Sequence, residues 1–142
     1  MQITTEQIKM RRRTHTLGAL IFSVIGYSVW HFLRRVFFLP PDPSILSSLT
    51  AILSMEVKIF VMMIGSSILG GTLPDIIDPP FTSRHRSFAH SKILLYLFFS
   101  IWFASLFILL TSPTLLIWIV YFFILGYISH LILDSRTPAG LT

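Results

Sequence analysis

Long apolar runs separated by short polar segments dominate the pattern of this chain. A helix needs about 20 apolar residues to cross the hydrocarbon core of a bilayer. The runs here are continuous rather than striped with the period of a surface helix. The pattern therefore predicts an all-α, polytopic membrane protein with four transmembrane helices, at 17–33, 59–73, 93–110 and 114–133.

The second predicted helix is the least regular of the four. It is short and contains Gly65, Gly70 and Gly71, small residues that permit close packing of helices in a membrane. A weakly amphipathic stretch indicates that this helix could begin earlier, near Ile45. The first helix could likewise extend further, to Leu39.

The turn between the last two apolar runs is short. Residues 111–113 read Thr-Ser-Pro, which favours a tight turn and hence an antiparallel helical hairpin. The N-terminal run that follows Arg11 to Arg13 lacks a clear small-residue cleavage site, so we interpret it as a retained first helix. Residues 1–142 are therefore expected to form a single membrane-embedded domain.

Composition agrees with a membrane protein and excludes several kinds of site. Hydrophobic residues make up 54% of the chain and charged residues 12%, whereas soluble domains carry about 25% charged residues. The mean hydropathy is +0.77. The chain has no cysteine, so disulfides, thiolate metal sites and cysteine nucleophiles are excluded.

The basic residues predict an orientation in the membrane. Four helices place both termini and the 74–92 loop on one side, with eight Lys or Arg residues against three on the other side. The positive-inside rule then predicts a multi-pass protein of the cell membrane with cytoplasmic N- and C-termini. The formal charge of +5 follows from this topology. Without an aromatic and basic platform for single strands, we expect no nucleic-acid partner.

Asp and His residues cluster beside the apolar runs, where they are costly to bury. Carboxylate and neutral imidazole are ligands for divalent metals, so a metal site is the simplest explanation. Zn²⁺ is the expected ion, with Mn²⁺ or Fe²⁺ as alternatives, and the ligand number suits one ion or two adjacent ions. The candidate ligands are Asp75, His85, His90, His130 and Asp134, with His15 as a further candidate.

Each group of candidate ligands also has a structural alternative. His130 and Asp134 are four residues apart and share a helix face; the alternative is a pair of helix-end residues, but a carboxylate at a helix C-terminus is disfavoured by the macrodipole. Asp75 and Asp78 lie between two prolines that predict a stiff loop, or else an ordinary acidic turn. His31 is about a membrane thickness away and has no assigned role.

His85 and His90 are five residues apart, which suits a loop residue followed by a residue in the first turn of the third helix. Ser87 or Ser91 could cap that helix. Arg86 lies between the two histidines, where a guanidinium could hold a phosphate or carboxylate of a substrate. The alternative for the histidines is a solvated loop, and for the arginine a purely topological charge.

Taken together, these motifs resemble the YdjM-like family of membrane-bound, metal-dependent hydrolases. The resemblance rests on three motifs: Leu-Pro-Asp at 73–75, Arg-His-Arg-Ser-Phe-Ala-His-Ser at 84–91, and Gly-Tyr-Ile-Ser-His-Leu-Ile-Leu-Asp at 126–134 with Thr-Pro-Ala-Gly at 137–140. His15 in His-Thr-Leu-Gly adds to it. The chain departs from the family at Asp78, where the family often has an Asp-x-Asp-His pattern.

The resemblance implies a metal site at the membrane surface. We expect hydrolysis by metal-activated water, with a lipid or a phosphoester as the substrate. Asp78 is then the candidate general base, and Arg86 would stabilise developing negative charge. Two non-enzymatic alternatives stay open: a metal-ion transporter or sensor, and a structural site in which an ion ties loops to helices.

Overall fold

The computed structural model describes residues 5–37, 49–78 and 89–136. This part of the chain is helical and contains no strand, which confirms the predicted all-α class. Each helix includes a segment long and apolar enough to cross a membrane. The four helices are α1 (Thr5–Phe37), α2 (Leu49–Ile77), α3 (Lys92–Thr111) and α4 (Leu115–Ser135).

The α3–α4 hairpin agrees with its prediction to within two residues at each boundary. The Ser91 side chain caps α3 by accepting a hydrogen bond from the backbone N–H of Leu94 at 3.2 Å. Thr114 caps α4 in the same way and accepts from Ile117 at 3.4 Å. The side-chain oxygens satisfy N–H groups that the first turn of a helix leaves without partners, so both helices begin where their caps lie.

The two N-terminal helices are longer than their apolar runs. α1 begins at Thr5, twelve residues before the predicted start at 17, because Glu, Gln, Lys, Met and Arg favour helix as well as apolar residues do. His15 therefore lies within α1 and not before it. α2 begins at Leu49, in line with the earlier start that the sequence offered.

The predicted loop after the second helix is wrong at its beginning. α2 continues through Pro74 to Ile77, so Asp75 lies in the last turn of a helix. A proline inside a helix removes one donor and crowds the carbonyl four residues before it, but here it lies near the helix end. The Asp78 N–H still donates to the Pro74 carbonyl at 2.9 Å and closes the last turn.

Glycines allow α2 and α4 to form the most extensive interface between helices. A Cβ atom on Gly70 would overlap the Phe123 carbonyl of α4, and one on Gly126 would overlap the Ser67 carbonyl of α2. The two backbones therefore approach more closely than larger side chains permit. Gly65 has no atom near its Cβ position and is exposed, so it has no such packing role.

Buried aromatic residues fill one end of the helix bundle. Trp30 of α1 and Trp118 of α4 cross edge to face with ring centroids 4.5 Å apart. The Trp30 indole N–H donates to the Leu109 carbonyl at 3.4 Å, and the Tyr121 hydroxyl donates to the Gly26 carbonyl at 2.9 Å. We call this the aromatic end: Trp30, Leu109, Trp118, Tyr121 and Phe122.

Candidate metal centre

Six ionisable side chains from α1, α2, α4 and the turn before α3 meet at the opposite end of the bundle. α1 contributes one, the C-terminal end of α2 two, the turn before α3 one, and the last turns of α4 two. The antiparallel order of the helices brings these segments together although they lie far apart in the sequence. We call this the site cluster: His15, Asp75, Asp78, His90, His130 and Asp134.

Three buried ligand atoms form the centre of the site cluster. The Nε2 atoms of His90 and His130 are 3.1 Å apart. Oδ2 of Asp134 lies 3.2 Å from Nε2 of His90 and 3.5 Å from Nε2 of His130. Ligand atoms bonded at about 2.1 Å to one tetrahedral ion are about 3.4 Å apart, so this triangle has the size of one face of a metal's coordination shell.

Asp75 lies over the same triangle from α2. Its Oδ1 is 3.8 Å from Nε2 of His90 and 3.7 Å from Nε2 of His130. These separations exceed hydrogen-bond distance but are close to the spacing expected around a shared ion. The Asp75 side chain is 21% exposed, whereas those of His90 and His130 are fully buried. Asp75 is therefore the candidate ligand nearest the surface.

The His130 ring is oriented by the backbone of α2. Its Nδ1 lies 2.8 Å from the Gly71 carbonyl oxygen, and because a carbonyl can only accept, Nδ1 carries the proton. In the neutral ring the lone pair is then on Nε2, which points at the other ligand atoms. This contact depends on the close approach of α2 and α4. Gly126, one turn before His130 on α4, packs against the Ser67 carbonyl and the Gly71 N–H of α2.

The His90 ring is held by the turn that precedes α3. The Tyr127 hydroxyl of α4 donates to the Ala89 carbonyl at 3.0 Å, and Ser91 caps the helix on the other side of His90. Oδ2 of Asp78 lies 3.7 Å from Nδ1 of His90. Asp78 thus faces the ring nitrogen that points away from the central triangle.

His15 completes the site cluster from α1. Its ring stacks on that of His130 with centroids 4.0 Å apart, and its Nε2 lies 3.5 Å from Oδ1 of Asp134. A cavity of about 150 Å³ lies beside it, lined by His15, Gly71, Thr72, Asp75 and Ile76. Ile76 is 65% exposed, so the cavity reaches the outer surface between α1 and α2.

The burial of these groups calls for a positive charge among them. His90 and His130 are 0% exposed, and Asp134 is 2% exposed. An isolated buried carboxylate costs several kcal/mol, and the lone pair on Nε2 of His130 adds no compensation. A bound cation, or an N–H that His90 donates to Asp134, would offset this cost. The buried group His90–His130–Asp134 and the partly buried group His15–Asp75–His130 could each hold a metal ion.

The structure brings together five of the six predicted ligands. Asp75, His90, His130 and Asp134 converge with His15, which the sequence offered only as a further candidate. The remaining predicted ligand, His85, and the predicted substrate-binding Arg86 lie outside the described residues. His31 lies at the aromatic end beside Tyr27 and Trp30, away from the site cluster.

Sequence reasoning missed the groups that orient the histidines. Tyr127 is three residues before His130 on the same face of α4, and this spacing is a signal that could have linked it to the site. The Gly71 carbonyl leaves no signal in the sequence, because any residue has a carbonyl. Only the packing of α2 against α4 identifies it as the partner of His130.

No family model, curated protein or solved structure matches this chain. The resemblance to the YdjM-like family therefore stays a prediction that rests on the three short motifs and on His15.

Proposed function

We propose that this protein is a membrane-embedded, metal-dependent hydrolase whose ion is held by His90, His130 and Asp134. Three protein ligands leave a position for water, and Asp75 lies on the exposed side of this position. The observation that carries the proposal is the triangle of ligand atoms at 3.1, 3.2 and 3.5 Å in a fully buried setting. Two imidazoles and carboxylates suit Zn²⁺ first, and Mn²⁺ or Fe²⁺ next.

The ion would supply a water of lowered pKa and would polarise the bond to be cleaved. The protein's own residues hold the ligands in place for this chemistry. Gly71 fixes the proton of His130 on Nδ1, and Tyr127 anchors the turn that carries His90. Asp75, the most exposed of the ligands, lies where a substrate would reach the centre from the cavity.

A lipid or a phosphoester is the proposed substrate. The site cluster lies at one end of four helices that are long enough to cross a membrane, which supports a position near the lipid headgroups. The cavity beside it is lined by the exposed residue Ile76 at the outer surface. The polar group of a lipid substrate could enter this cavity while its acyl chain stays among the lipids. Arg86 remains the candidate for holding an anionic group of the substrate.

Asp78 has two candidate roles that experiment can separate. The sequence predicts a general base, whereas its contact at 3.7 Å with Nδ1 of His90 supports a role in orienting that ring. If Asp78 is the base, Asp78→Asn should lower kcat at unchanged metal affinity. If it orients His90, the variant should lose metal affinity by about 10- to 100-fold.

Transport of the ion through the membrane is less well supported. Among the described residues, the buried carboxylates and imidazoles all belong to the site cluster. The buried polar side chains farther along α1 and α2 include Ser23 and Ser67, which hydrogen-bond to each other. An ion path requires polar groups on both sides of the bilayer centre, and the site cluster occupies one end.

A hydrolysis assay on metal-loaded protein tests the proposal. The protein would be reconstituted in phospholipid vesicles, and separately mixed with a soluble aryl phosphodiester, with Zn²⁺ or Mn²⁺ present. We expect hydrolysis of at least one substrate that is abolished by a chelator and by Asp134→Ala. Stoichiometric metal without hydrolysis of either substrate class would instead support a structural or sensing site.

The family and the orientation belong to the same proposal. Membership of the YdjM-like family would account for the order of the three motifs along the chain. Cytoplasmic termini would place the site cluster at the cytoplasmic face of the cell membrane, because α1 begins and α4 ends at that end of the bundle. Modification of introduced cysteines at positions 5 and 135 by an impermeant reagent would test this orientation.

A further inference from the structure

The carboxylate of Asp134 presents its two oxygens to different histidines. Oδ2 faces His90 and His130 at 3.2 and 3.5 Å, whereas Oδ1 faces Nε2 of His15 at 3.5 Å. A bridging carboxylate presents one oxygen to each of two ions, and the two oxygens of Asp134 face separate groups of histidines in this way. We propose that the site cluster holds two divalent cations, with Asp134 as the bridging ligand between an inner position and an outer position.

The inner position is the buried triangle of His90, His130 and Asp134. The outer position would use two ligand atoms that do not face the inner position, Nε2 of His15 and Oδ1 of Asp134. Asp75 lies between the two positions and could bind either ion. Donor atoms of His15 and Asp75 lie within 4.8 Å of each other, and Oδ1 of Asp134 lies 3.5 Å from Nε2 of His15, so these three residues can share the outer ion. Nε2 of His130 has a single lone pair and serves the inner ion alone. Metal ions in two-metal sites are about 3.5–4 Å apart, a separation that one bridging carboxylate can span.

The surroundings of the two positions differ in a way that suits different tasks. His90 and His130 are fully buried, so the protein encloses the inner position. The outer position borders the cavity of about 150 Å³ that His15 and Asp75 line. An ion there would complete its coordination with water or substrate from the cavity. The outer ion is thus the one that meets the substrate, and the inner ion holds Asp134 in place.

Charge favours the second ion. Asp75, Asp78 and Asp134 together carry three negative charges when ionised, and the three histidines of the site cluster are neutral as metal ligands. One divalent ion leaves a net charge of −1 in a buried setting, which repels an anionic substrate. Two divalent ions leave +1, which attracts a phosphate group and stabilises the charge that develops on it.

This inference rests on the proposed metal-dependent function, and metal stoichiometry separates the two. Detergent-purified protein would be equilibrated with Zn²⁺, freed of loosely bound ions, and analysed for metal per chain. His15→Phe is the key variant, because phenylalanine can keep the ring stack on His130 but cannot bind metal. His31→Phe is the matched control, since it changes a histidine of the same helix outside the site cluster.

We expect two equivalents in the parent and in His31→Phe, and one equivalent in His15→Phe. With Mn²⁺ in place of Zn²⁺, electron paramagnetic resonance should show a spin-coupled pair in the parent and an isolated ion in His15→Phe. A parent that binds one equivalent, or a His15→Phe variant that keeps two coupled ions, would overturn the second position. A parent that binds no metal would instead overturn the proposed function.

Discussion

The two ends of the helix bundle are both buried, but they satisfy their polar groups differently. At the aromatic end, two buried donors find backbone carbonyls on other helices: Tyr121 bonds to Gly26 and Trp30 to Leu109. These two groups are neutral, and the protein alone satisfies them. At the site cluster, imidazole nitrogens and carboxylate oxygens face one another at 3.1–3.5 Å.

This contrast is the reason why we propose the site cluster, and not the aromatic end, as the functional end. A neutral aromatic cluster stabilises helix packing and needs no partner. A buried group of carboxylates and imidazoles is costly without a cation. The comparison predicts that changes at the site cluster affect metal binding, whereas equivalent changes at the aromatic end affect only stability.

The largest effect is expected from loss of a ligand in the buried triangle. His90→Ala removes one of the two imidazole nitrogens that face Asp134. We expect metal affinity to fall by more than about 100-fold, which exceeds the loss typical of changing a residue that only orients a ligand. Isothermal titration of the purified protein with Zn²⁺ measures it. His31→Ala is the control and should bind as the parent does. Stoichiometric, tight binding by His90→Ala would place the ion elsewhere.

A smaller effect is expected from separating the helices that orient His130. A Cβ atom in Gly126→Ala would overlap the Ser67 carbonyl and lie 3.0 Å from the Gly71 N–H, so α2 and α4 must move apart. We expect a loss of about 1–3 kcal/mol in the free energy of unfolding, as in other overpacked cores. Metal affinity should also fall, because the Gly71 contact to His130 is stretched.

The matched control for this change is Gly65→Ala. Gly65 is exposed and no atom lies within 4 Å of its Cβ position, so alanine should leave metal affinity unchanged and should stabilise the helix by about 0.5–1 kcal/mol. Denaturation in mixed micelles and titration with Zn²⁺ give both quantities. Equal metal affinity in the two alanine variants would show that close packing of α2 and α4 is irrelevant to the site.

The smallest effect is expected from two tyrosines of α4 that make the same type of bond at opposite ends. Tyr127→Phe loses the hydrogen bond to Ala89 at 3.0 Å, and Tyr121→Phe loses the one to Gly26 at 2.9 Å. Each should cost about 1 kcal/mol of stability. Only Tyr127→Phe should also weaken metal binding, by about fivefold, because it frees the turn that carries His90. Identical metal affinities would remove Tyr127 from the site.

The fold was predictable from the sequence because the membrane restricts the choice. Apolar runs of the length of a bilayer leave helices as the available structure, and the turn at 111–113 gave the α3–α4 hairpin. The start of α1 and the end of α2 were not predictable in the same way. Both helices extend beyond their apolar runs, α1 back to Thr5 and α2 through Pro74 to Ile77, and hydropathy does not reveal these extensions.

The site was predictable as a set of residues but not as a geometry. Asp75, His90, His130 and Asp134 stand out because carboxylates and imidazoles are rare beside apolar runs. The position of His15 depends on α1 packing against α4, which no local pattern records. The different directions of the two Asp134 oxygens and the orienting role of Tyr127 also arise only from tertiary contacts.

Metal content is the most direct test of the central claim, that the site cluster is a metal centre. The parent and His130→Ala would be purified in detergent, incubated with Zn²⁺, freed of loosely bound ions and measured by elemental analysis, with helicity checked by circular dichroism. The account predicts at least one equivalent of metal in the parent and none in His130→Ala, with both proteins helical. A helical parent that binds no metal, or a variant that keeps the parent's content, would contradict it.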